Sequence, residues 1–308
     1  MGIAKGSASL LYELKKDIGF SGTILQLGKQ SLYVEADQLP LIAAKFGFEI
    51  DITGIAKDNH GEYINGTYND TVFFSKLGFE TICSLDANDY EGADIIHDLN
   101  QPIPESLSGN FDFIYDGGTL EHIFDFPQSL KNIFQLLKVG GVIAHAQASH
   151  NHVDHGFYMY SPTVFWDYYN ANNFEILKSY IYEYEHQHNA YTTKDWLIYE
   201  YEPSAIEHLV SGGWGRKQLG IWFVARKLEN STCNVVPQQG AYLRTWNNLP
   251  SYNPYEKAQQ QSPLLKYTKW KLRSIPLLGR VLLWISRVFR TIQSGYLRQS
   301  RPPTIARY

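Results

Sequence analysis

The sequence predicts an α/β fold, a Rossmann-like, doubly wound and mostly parallel sheet whose last strand is antiparallel. The central observation is that residues 111–147 hold an apolar run, a helical repeat and a second apolar run, the order of a parallel strand–helix–strand unit. Further apolar runs alternate with helical stretches before this unit, and aromatic, β-branched runs follow it. Ligands of such sheets bind beyond the carboxyl ends of the strands, so we expect the functional residues there.

The composition is that of a globular protein with one sizeable domain and additions. The chain has 308 residues, of which 44% are hydrophobic and 19% are charged. Its two cysteines, Cys83 and Cys233, exclude a disulfide framework and a metal site of four cysteines. Residues 1–20 lack the sustained apolar segment of a signal peptide, so we expect a cytoplasmic protein.

The strand–helix–strand unit has clear boundaries. Residues 111–115 form the first strand, and turn-forming residues end it at 116–118. The helix is predicted from apolar residues at i, i+3, i+4 and i+7, namely Leu130, Ile133, Phe134 and Leu137. Lys138 is expected in its last turn, where a cation suits the helix dipole, and glycines 140 and 141 end the helix. Residues 142–146 form the second strand.

Five elements are predicted before this unit. Residues 8–18 form a leading helix, and residues 36–46 form the first crossover helix. Strands are expected at residues 23–27, 80–85 and 93–97. Each of these strands ends next to a residue suited to a turn or a ligand contact, namely Gly28, Asp86 and Asp98.

The elements after the unit complete the sheet. A serine and a proline at 161–162 begin a helix that continues to residue 173. Strands are expected at residues 174–185, 196–201 and 219–227. A late antiparallel pair among these strands agrees with the predicted fold class.

The sequence FDFIYDGGTLEH at 111–122, followed by LLKVGG at 136–141, resembles the class I S-adenosylmethionine (SAM)-dependent methyltransferases. The resemblance covers residues 20–228. The segment NHVDHGFYMYSP at 151–162 resembles methyltransferase type 11/12-like proteins of bacterial polysaccharide or secondary-metabolite loci. The resemblance implies SAM as the cofactor and an O- or N-methyltransferase acting on a small molecule or a glycan.

The resemblance also implies a set of cofactor-binding residues. Asp86 is expected to bind the ribose hydroxyls, Asp98 the adenine amino group, and the backbone N–H of Leu99 an adenine ring nitrogen. The other cofactor residues follow the first and fourth parallel strands, namely Gly28, Gln30, Asp116 and Gly117. The loop at residues 28–31 has a single glycine, so a non-catalytic methyltransferase-like protein is a second hypothesis.

The motif HxHxDH at residues 150–155 supports a third hypothesis, a metal-dependent hydrolase. Closely spaced imidazoles and a carboxylate can bind a metal ion whose hydroxide attacks a substrate. The metal ligands would be His150, His152, Asp154 and His155. The alternation of strands and helices before this motif differs from the β-rich sandwich fold of the hydrolases that carry the motif. We therefore rank a methyltransferase without metal first.

In a methyltransferase, the same loop would contact the methyl acceptor. A histidine, with a pKa near neutrality, suits the uptake of a proton from a hydroxyl or amine, and the order of preference is His155, His152, His122. Tyr158 and Tyr160 are expected to line the acceptor pocket, and aromatic packing is the alternative role for both.

The predicted organisation is a methyltransferase-like domain at residues 1–228 with an inserted lid or substrate element near 48–76, a linker at 229–263, and a basic amphipathic helical tail at 264–308. From Lys257 onwards there are eleven Lys or Arg residues and no Asp or Glu, whereas the net charge of the chain is −4. Such a tail is typical of a peripheral contact with the inner face of a membrane, and packing on the acidic domain or in a homodimer is the alternative. No nucleic-acid module is visible, so no nucleic-acid partner is expected.

Overall fold

The computed structural model describes residues 2–52, 57–58, 67–184, 195–206, 209, 213–247 and 302–308. These residues belong to two compact units. The larger unit comprises Met1–Tyr201, Arg216–Gln239 and Thr304–Tyr308, and it contains both β-sheets. In the smaller unit, Glu202–Gly215 and Gly240–Pro303, the described residues include helix α6 at Gly240–Trp246.

A nine-stranded sheet forms the centre of the larger unit. Its strands are β2 Thr23–Leu27, β6 Thr81–Asp86, β7 Ile95–Ile96, β8 Phe111–Asp116, β9 Leu137–Ala148, β10 Glu175–Tyr184, β11 Leu197–Glu200, β12 Gln218–Arg226 and β13 Thr304–Arg307. Their order across the sheet is β13-β11-β10-β12-β9-β8-β2-β6-β7.

The direction of the strands confirms the predicted fold class. Strands β7, β6, β2, β8 and β9 are parallel to one another, and β12 lies antiparallel between β9 and β10. The chain also reverses its winding at β2, because β6 and β7 lie on one side of it and β8 and β9 on the other. This is the switch point at which doubly wound sheets bind ligands.

The register aligns the carboxyl ends of the central strands. Leu27, the last residue of β2, pairs with Leu85 of β6 and with Asp116 of β8. Asp116 in turn pairs with His145 of β9. The segments that leave β2, β6 and β8 therefore start side by side.

Helices cover both faces of this sheet. The helices are α1 Lys5–Ile18, α2 Gln38–Lys45, α3 Asp70–Leu77, α4 Phe126–Leu136 and α5 Pro162–Ala171. Buried residues of α1, α2 and α3 pack with Ile24 and Phe113, whereas those of α4 and α5 pack with Leu25 and Ile114. Successive strand residues thus point to opposite apolar cores, as the pleat requires.

Helix α4 ends earlier than the sequence predicts. Asp125 caps its start, accepting a hydrogen bond from the Gln128 N–H at 3.0 Å, but the helix stops at Leu136. Lys138 therefore belongs to β9, and its Nζ binds an oxygen of Asp112 at 2.8 Å. The predicted role of Lys138 at the helix dipole is wrong, because the lysine pairs with the neighbouring strand instead.

The predicted insertion near residues 48–76 also differs from the structure. Its last part is the start of α3, a crossover helix capped by Asn69, which accepts from the Val72 N–H at 3.2 Å. A second sheet of four strands has the order β1-β3-β5-β4, with β1 at Gly2–Ile3, β3 at Ser31–Leu32, β4 at Lys57–Asp58 and β5 at Thr67–Tyr68. Residues 53–56 and 59–66 lie outside the described residues.

The end of the chain is a strand rather than a helix. Strand β13 pairs antiparallel with β11, with Leu197 opposite Arg307. The predicted helical tail at 264–308 is therefore wrong for its last residues, and the amphipathic stretch before them lies outside the described residues. Within the described part of the chain, no helix has the length and apolar character needed to cross a membrane.

Candidate functional site

The loop after β2 is closed by Gln30. Gly28 has a φ of +67°, a conformation that favours glycine, and its N–H donates to the carbonyl of Leu85 at 2.8 Å. The Gln30 side-chain amide donates to the carbonyls of Leu27 at 3.0 Å and Gly28 at 3.2 Å. The two predicted residues Gly28 and Gln30 therefore shape one tight turn at the carboxyl end of β2.

The free end of the Gln30 side chain lies against Gly117. A Cβ at Gly117 would lie 2.3 Å from Gln30 Oε1, so a larger residue does not fit there without a shift. Gln30 Oε1 is buried and has no hydrogen-bond partner among the residues that the structure describes. A buried acceptor without a donor is costly, and a ligand with an N–H group would satisfy it.

Asp70, which was not predicted as a site residue, fixes the same loop from the start of α3. Its carboxylate is 1% exposed and accepts from the N–H of Gln30 at 3.2 Å and the N–H of Thr71 at 2.7 Å. Burial raises the pKa of Asp70 above its ordinary value. Asp70 was hidden because it lies in the polar segment that was predicted to be an insertion.

The ends of β6 and β7 carry three more predicted residues. Asp86 is half-buried, and one of its oxygens accepts from the N–H of Ala87 at 2.6 Å. Asp98 is exposed, and hydrogen bonds from the backbone and side chain of Asn100 lower its pKa. Leu99 is buried, and its carbonyl accepts from the amide of Asn132 at 3.0 Å. The carboxylates of Asp86 and Asp98 keep further acceptor positions for a ligand.

Asp116 has a different environment from the one predicted. Its carboxylate is fully buried, and one oxygen accepts from His145 Nδ1 and from the Gln147 amide, both at 2.6 Å. The other oxygen accepts from the backbone N–H groups of Thr119 and Leu120. The side chain of Asp116 is thus directed into the protein, and we do not assign it a contact with a cofactor.

The Asp116 network continues to helix α5. His145 Nε2 lies 2.7 Å from the hydroxyl of Tyr169, and both side chains are buried. Burial raises the pKa of Tyr169 well above its ordinary value. This network joins β8 and β9 with α5 behind the turn at residues 117–122 and so holds that turn in place.

A second polar cluster lies on the outside of that turn. A turn of 3₁₀-helix at Leu120–His122 carries Glu121, whose side chain is 2% exposed. Glu121 Oε1 lies 3.5 Å from His155 Nε2 and 4.0 Å from His122 Nε2. Hydrogen bonding to Glu121 raises the pKa of His155, whereas burial lowers that of His122. The structure therefore brings together two of the three predicted catalytic histidines.

The loop that carries His155 is attached to Glu121 through the backbone. The carbonyl of Glu121 accepts from the N–H groups of Phe157 at 2.8 Å and Tyr158 at 3.2 Å. A Cβ at Gly156 would lie 2.7 Å from the same carbonyl, so glycine permits this close approach. The turn after β8 and the loop after β9 thus form one surface.

The remaining predicted residues take other places in this loop. His152 Nε2 lies 3.0 Å from the hydroxyl of Tyr184, and the His152 ring lies 5.7 Å from the ring of His155. The hydroxyl groups of Tyr158 and Tyr160 donate to the carbonyls of Phe124 at 2.7 Å and Leu120 at 2.9 Å. These two bonds, with the stacking of the two tyrosine rings on each other, give Tyr158 and Tyr160 a packing role in the loop.

The four ligands of the predicted hydrolase site do not form one metal-binding group in the described part of the chain. His155 clusters with Glu121 and His122, and this group does not include His150, His152 or Asp154. Glu121 was missed as a site residue, although its place beside His122 in the motif LEH was a usable signal.

Comparisons with known proteins add matches only at the level of structure. No protein-family model and no curated protein matches the chain, whereas 91 solved chains do. One is the 1,6-didemethyltoxoflavin-N1-methyltransferase of Burkholderia thailandensis with bound 1,6-didemethyltoxoflavin and S-adenosylhomocysteine. It is 13% identical over 73% of this chain and 80% of that chain, with a TM-score of 0.38.

Two further solved structures are similar to the same extent. A geranyl diphosphate methyltransferase in complex with SAM is 10% identical over 71% of this chain and 85% of that chain, with a TM-score of 0.36. The [4+2]-cyclase SpnF is 12% identical over 72% of this chain and 82% of that chain, also with a TM-score of 0.36. At TM-scores this low the overlaps carry no argument about function, and the strand order of the chain itself defines its fold.

Proposed function

We propose that this chain is a class I SAM-dependent methyltransferase that transfers a methyl group to an oxygen or nitrogen of a small molecule or a glycan. The observation that carries the proposal is the alignment of four loops at one edge of a sheet with the strand order expected for this class. Gly28, Asp86 and Asp98 lie in or beside three of these loops, and the motif DGGTLEH supplies the fourth.

The residues at this edge fit the cofactor. The carboxylate of Asp86 would accept hydrogen bonds from the two ribose hydroxyls. Asp98 and the backbone of Leu99 would bind the adenine ring. Gln30 Oε1, a buried acceptor without a donor among the described residues, would bind the ammonium group of the methionine part. When bound, SAM supplies the methyl group of its sulfonium centre.

The loop after β9 would hold the acceptor. His122 and His155 flank Glu121, and His152 lies beside His155, so these side chains present polar groups next to the proposed cofactor residues. Methyl transfer depends strongly on holding the acceptor atom in line with the methyl group, and a fixed surface does this well. The backbone bonds from Phe157 and Tyr158 to Glu121 supply that rigidity.

Calorimetric titration of the full chain with S-adenosylhomocysteine, the demethylated product, tests the proposal. The wild type should bind one equivalent with micromolar affinity, and Asp86→Asn should weaken binding by about 10- to 100-fold, since a hydrogen bond to a charged group contributes about 1.5–3 kcal/mol. Asp89→Asn is a matched control, because it removes an exposed carboxylate from the same loop. Folded wild type that does not bind the product would contradict the proposal.

A further inference from the structure

The carboxylate of Glu121 is buried, and only one of its two oxygens has a polar neighbour among the described residues. Its Oε2 is buried without a hydrogen-bond partner among the described residues. Its side chain is 2% exposed, although it lies in the turn that follows β8 at the functional edge of the sheet. Burial of a charge is unfavourable unless a cation or several hydrogen bonds compensate it. The carboxylate therefore needs a positive partner.

The distances from the Glu121 carboxylate to the two histidine rings fit binding to a shared ion better than direct hydrogen bonds. Charge-assisted hydrogen bonds between nitrogen and carboxylate oxygen are about 2.7–2.9 Å long. The two histidine nitrogens lie 3.5 Å and 4.0 Å from Oε1, and ligand atoms of the three residues all lie within 4.8 Å of one another. Around one ion with bonds of about 2.0–2.2 Å, neighbouring ligand atoms are about 3–4 Å apart.

We propose that Glu121, His122 and His155 bind one divalent first-row transition-metal ion such as Zn²⁺. Two imidazole nitrogens and one carboxylate oxygen suit Zn²⁺, Fe²⁺ or Mn²⁺, whereas Mg²⁺ and Ca²⁺ prefer oxygen ligands. Three protein ligands leave at least one coordination position open. Binding of the ion is independent of methyl transfer, but an oxygen or nitrogen of the acceptor fits the open position if the proposed function is correct.

The site is held together before an ion binds. His155 comes from the loop after β9, and Glu121 and His122 come from the turn after β8. The hydrogen bonds from Phe157 and Tyr158 to the Glu121 carbonyl attach this loop to this turn. The ligands are thereby fixed by backbone contacts, which lowers the entropy lost when the ion binds.

This ligand set revises both sequence-based interpretations of the histidines. The metal site uses His155 from the HxHxDH motif but replaces the other three residues with Glu121 and His122. His155 and His122 then act as ligands through their ring nitrogens rather than as free bases. The buried Glu121, which is not part of the HxHxDH motif, supplies the carboxylate ligand of the proposed site.

Metal titration of the full chain, stripped with a chelator, tests the proposal without any cofactor or acceptor. One equivalent of Zn²⁺ should bind in calorimetry, and Co²⁺ in its place should give visible absorption bands of a site with nitrogen and oxygen ligands. Glu121→Gln and His155→Ala should each weaken Zn²⁺ binding at least about tenfold, the lower end of the loss that is typical for residues that support a metal ligand.

His150→Ala and Asp154→Asn are the matched controls, because both residues lie on the same loop outside the cluster. Circular dichroism and cooperative unfolding in urea establish that each variant is folded. His155 is half-exposed, so its alanine variant should fold even if Glu121→Gln does not. Absence of Zn²⁺ binding to the folded wild type would overturn the proposal. Loss of binding in the two control variants, or unchanged binding in His155→Ala, would overturn it as well.

Discussion

The two halves of the functional edge are built in different ways. At the ends of β2, β6 and β7, polar side chains bind backbone groups close to them in sequence, as Gln30 does with Leu27 and Asp98 with Asn100. At the ends of β8 and β9, they bind partners far along the chain, as Asp116 does with His145. The first half is therefore shaped largely by local turns, to which the Gln30 N–H adds a long-range bond to Asp70, whereas the second half depends on the assembled sheet.

This difference has a consequence for the roles of the two halves. Local turns leave carboxylates such as that of Asp98 exposed, where a ligand can reach them. The long-range contacts instead bury charged groups, among them Asp116 and Glu121. A buried charge has to be compensated, so this half is where loss of a single partner should cost most.

The largest effect is expected in the Asp116 network. His145→Leu removes one hydrogen-bond partner of the buried Asp116 carboxylate, which should lower the free energy of unfolding by about 3 kcal/mol. Tyr169→Phe removes only the hydroxyl near His145 Nε2 and should cost about 1 kcal/mol. Urea denaturation measures both. Equal losses in the two variants would mean that compensation of the buried Asp116 carboxylate does not dominate the stability of this half.

A smaller effect is expected where the two halves meet, at Gly117. In Gly117→Ala the added methyl group would overlap Gln30 Oε1, which should cost about 1–3 kcal/mol and weaken S-adenosylhomocysteine binding. In a Gln30→Ala background the same change should cost at least about 0.5 kcal/mol less. The clash with Gln30 is then gone, and the contact of the added Cβ with Tyr115 Cε1, at 2.6 Å, remains. Strict additivity of the two substitutions in denaturation would show that Gln30 and Gly117 do not contact each other.

The smallest expected effect is a pH dependence of stability that arises from Asp70, beside the end of β2. Because burial raises the pKa of Asp70, the folded protein holds its proton more tightly than the unfolded chain does. Stability relative to Asp70→Asn should therefore be greatest below the ordinary Asp pKa and should fall as pH rises through the raised value. Unfolding free energies of both proteins between pH 4 and 7, a range set by the ordinary pKa of about 3.9, provide the measurement. A wild-type stability that rises with pH relative to that of Asp70→Asn would contradict the assigned burial of Asp70.

The sequence was informative where local rules decide the structure. Strand β2 has the predicted bounds, Thr23–Leu27, and Asp86 ends β6 as expected, because an apolar run followed by a turn residue is a local signal. An antiparallel last strand was also predicted, and the structure places the antiparallel β12 between β9 and β10.

The sequence was uninformative where distant contacts decide. Strand β13 forms only because β11 offers it an edge, and Lys138 leaves the predicted helix for Asp112 on the neighbouring strand. Glu121 and His155 are far apart in sequence, so no spacing rule joins them. The histidine motif at residues 150–155 suggested a metal site, but the fold selects a different set of side chains.

The structure of the chain with bound S-adenosylhomocysteine is the most direct test of the proposed cofactor site. We expect the adenosine part between Asp86 and Asp98, with the ammonium group of the homocysteine part at Gln30 Oε1 beside Gly117. A ligand bound elsewhere on the chain, or crystals that contain no ligand after soaking at millimolar concentration, would contradict the proposal that this edge binds SAM.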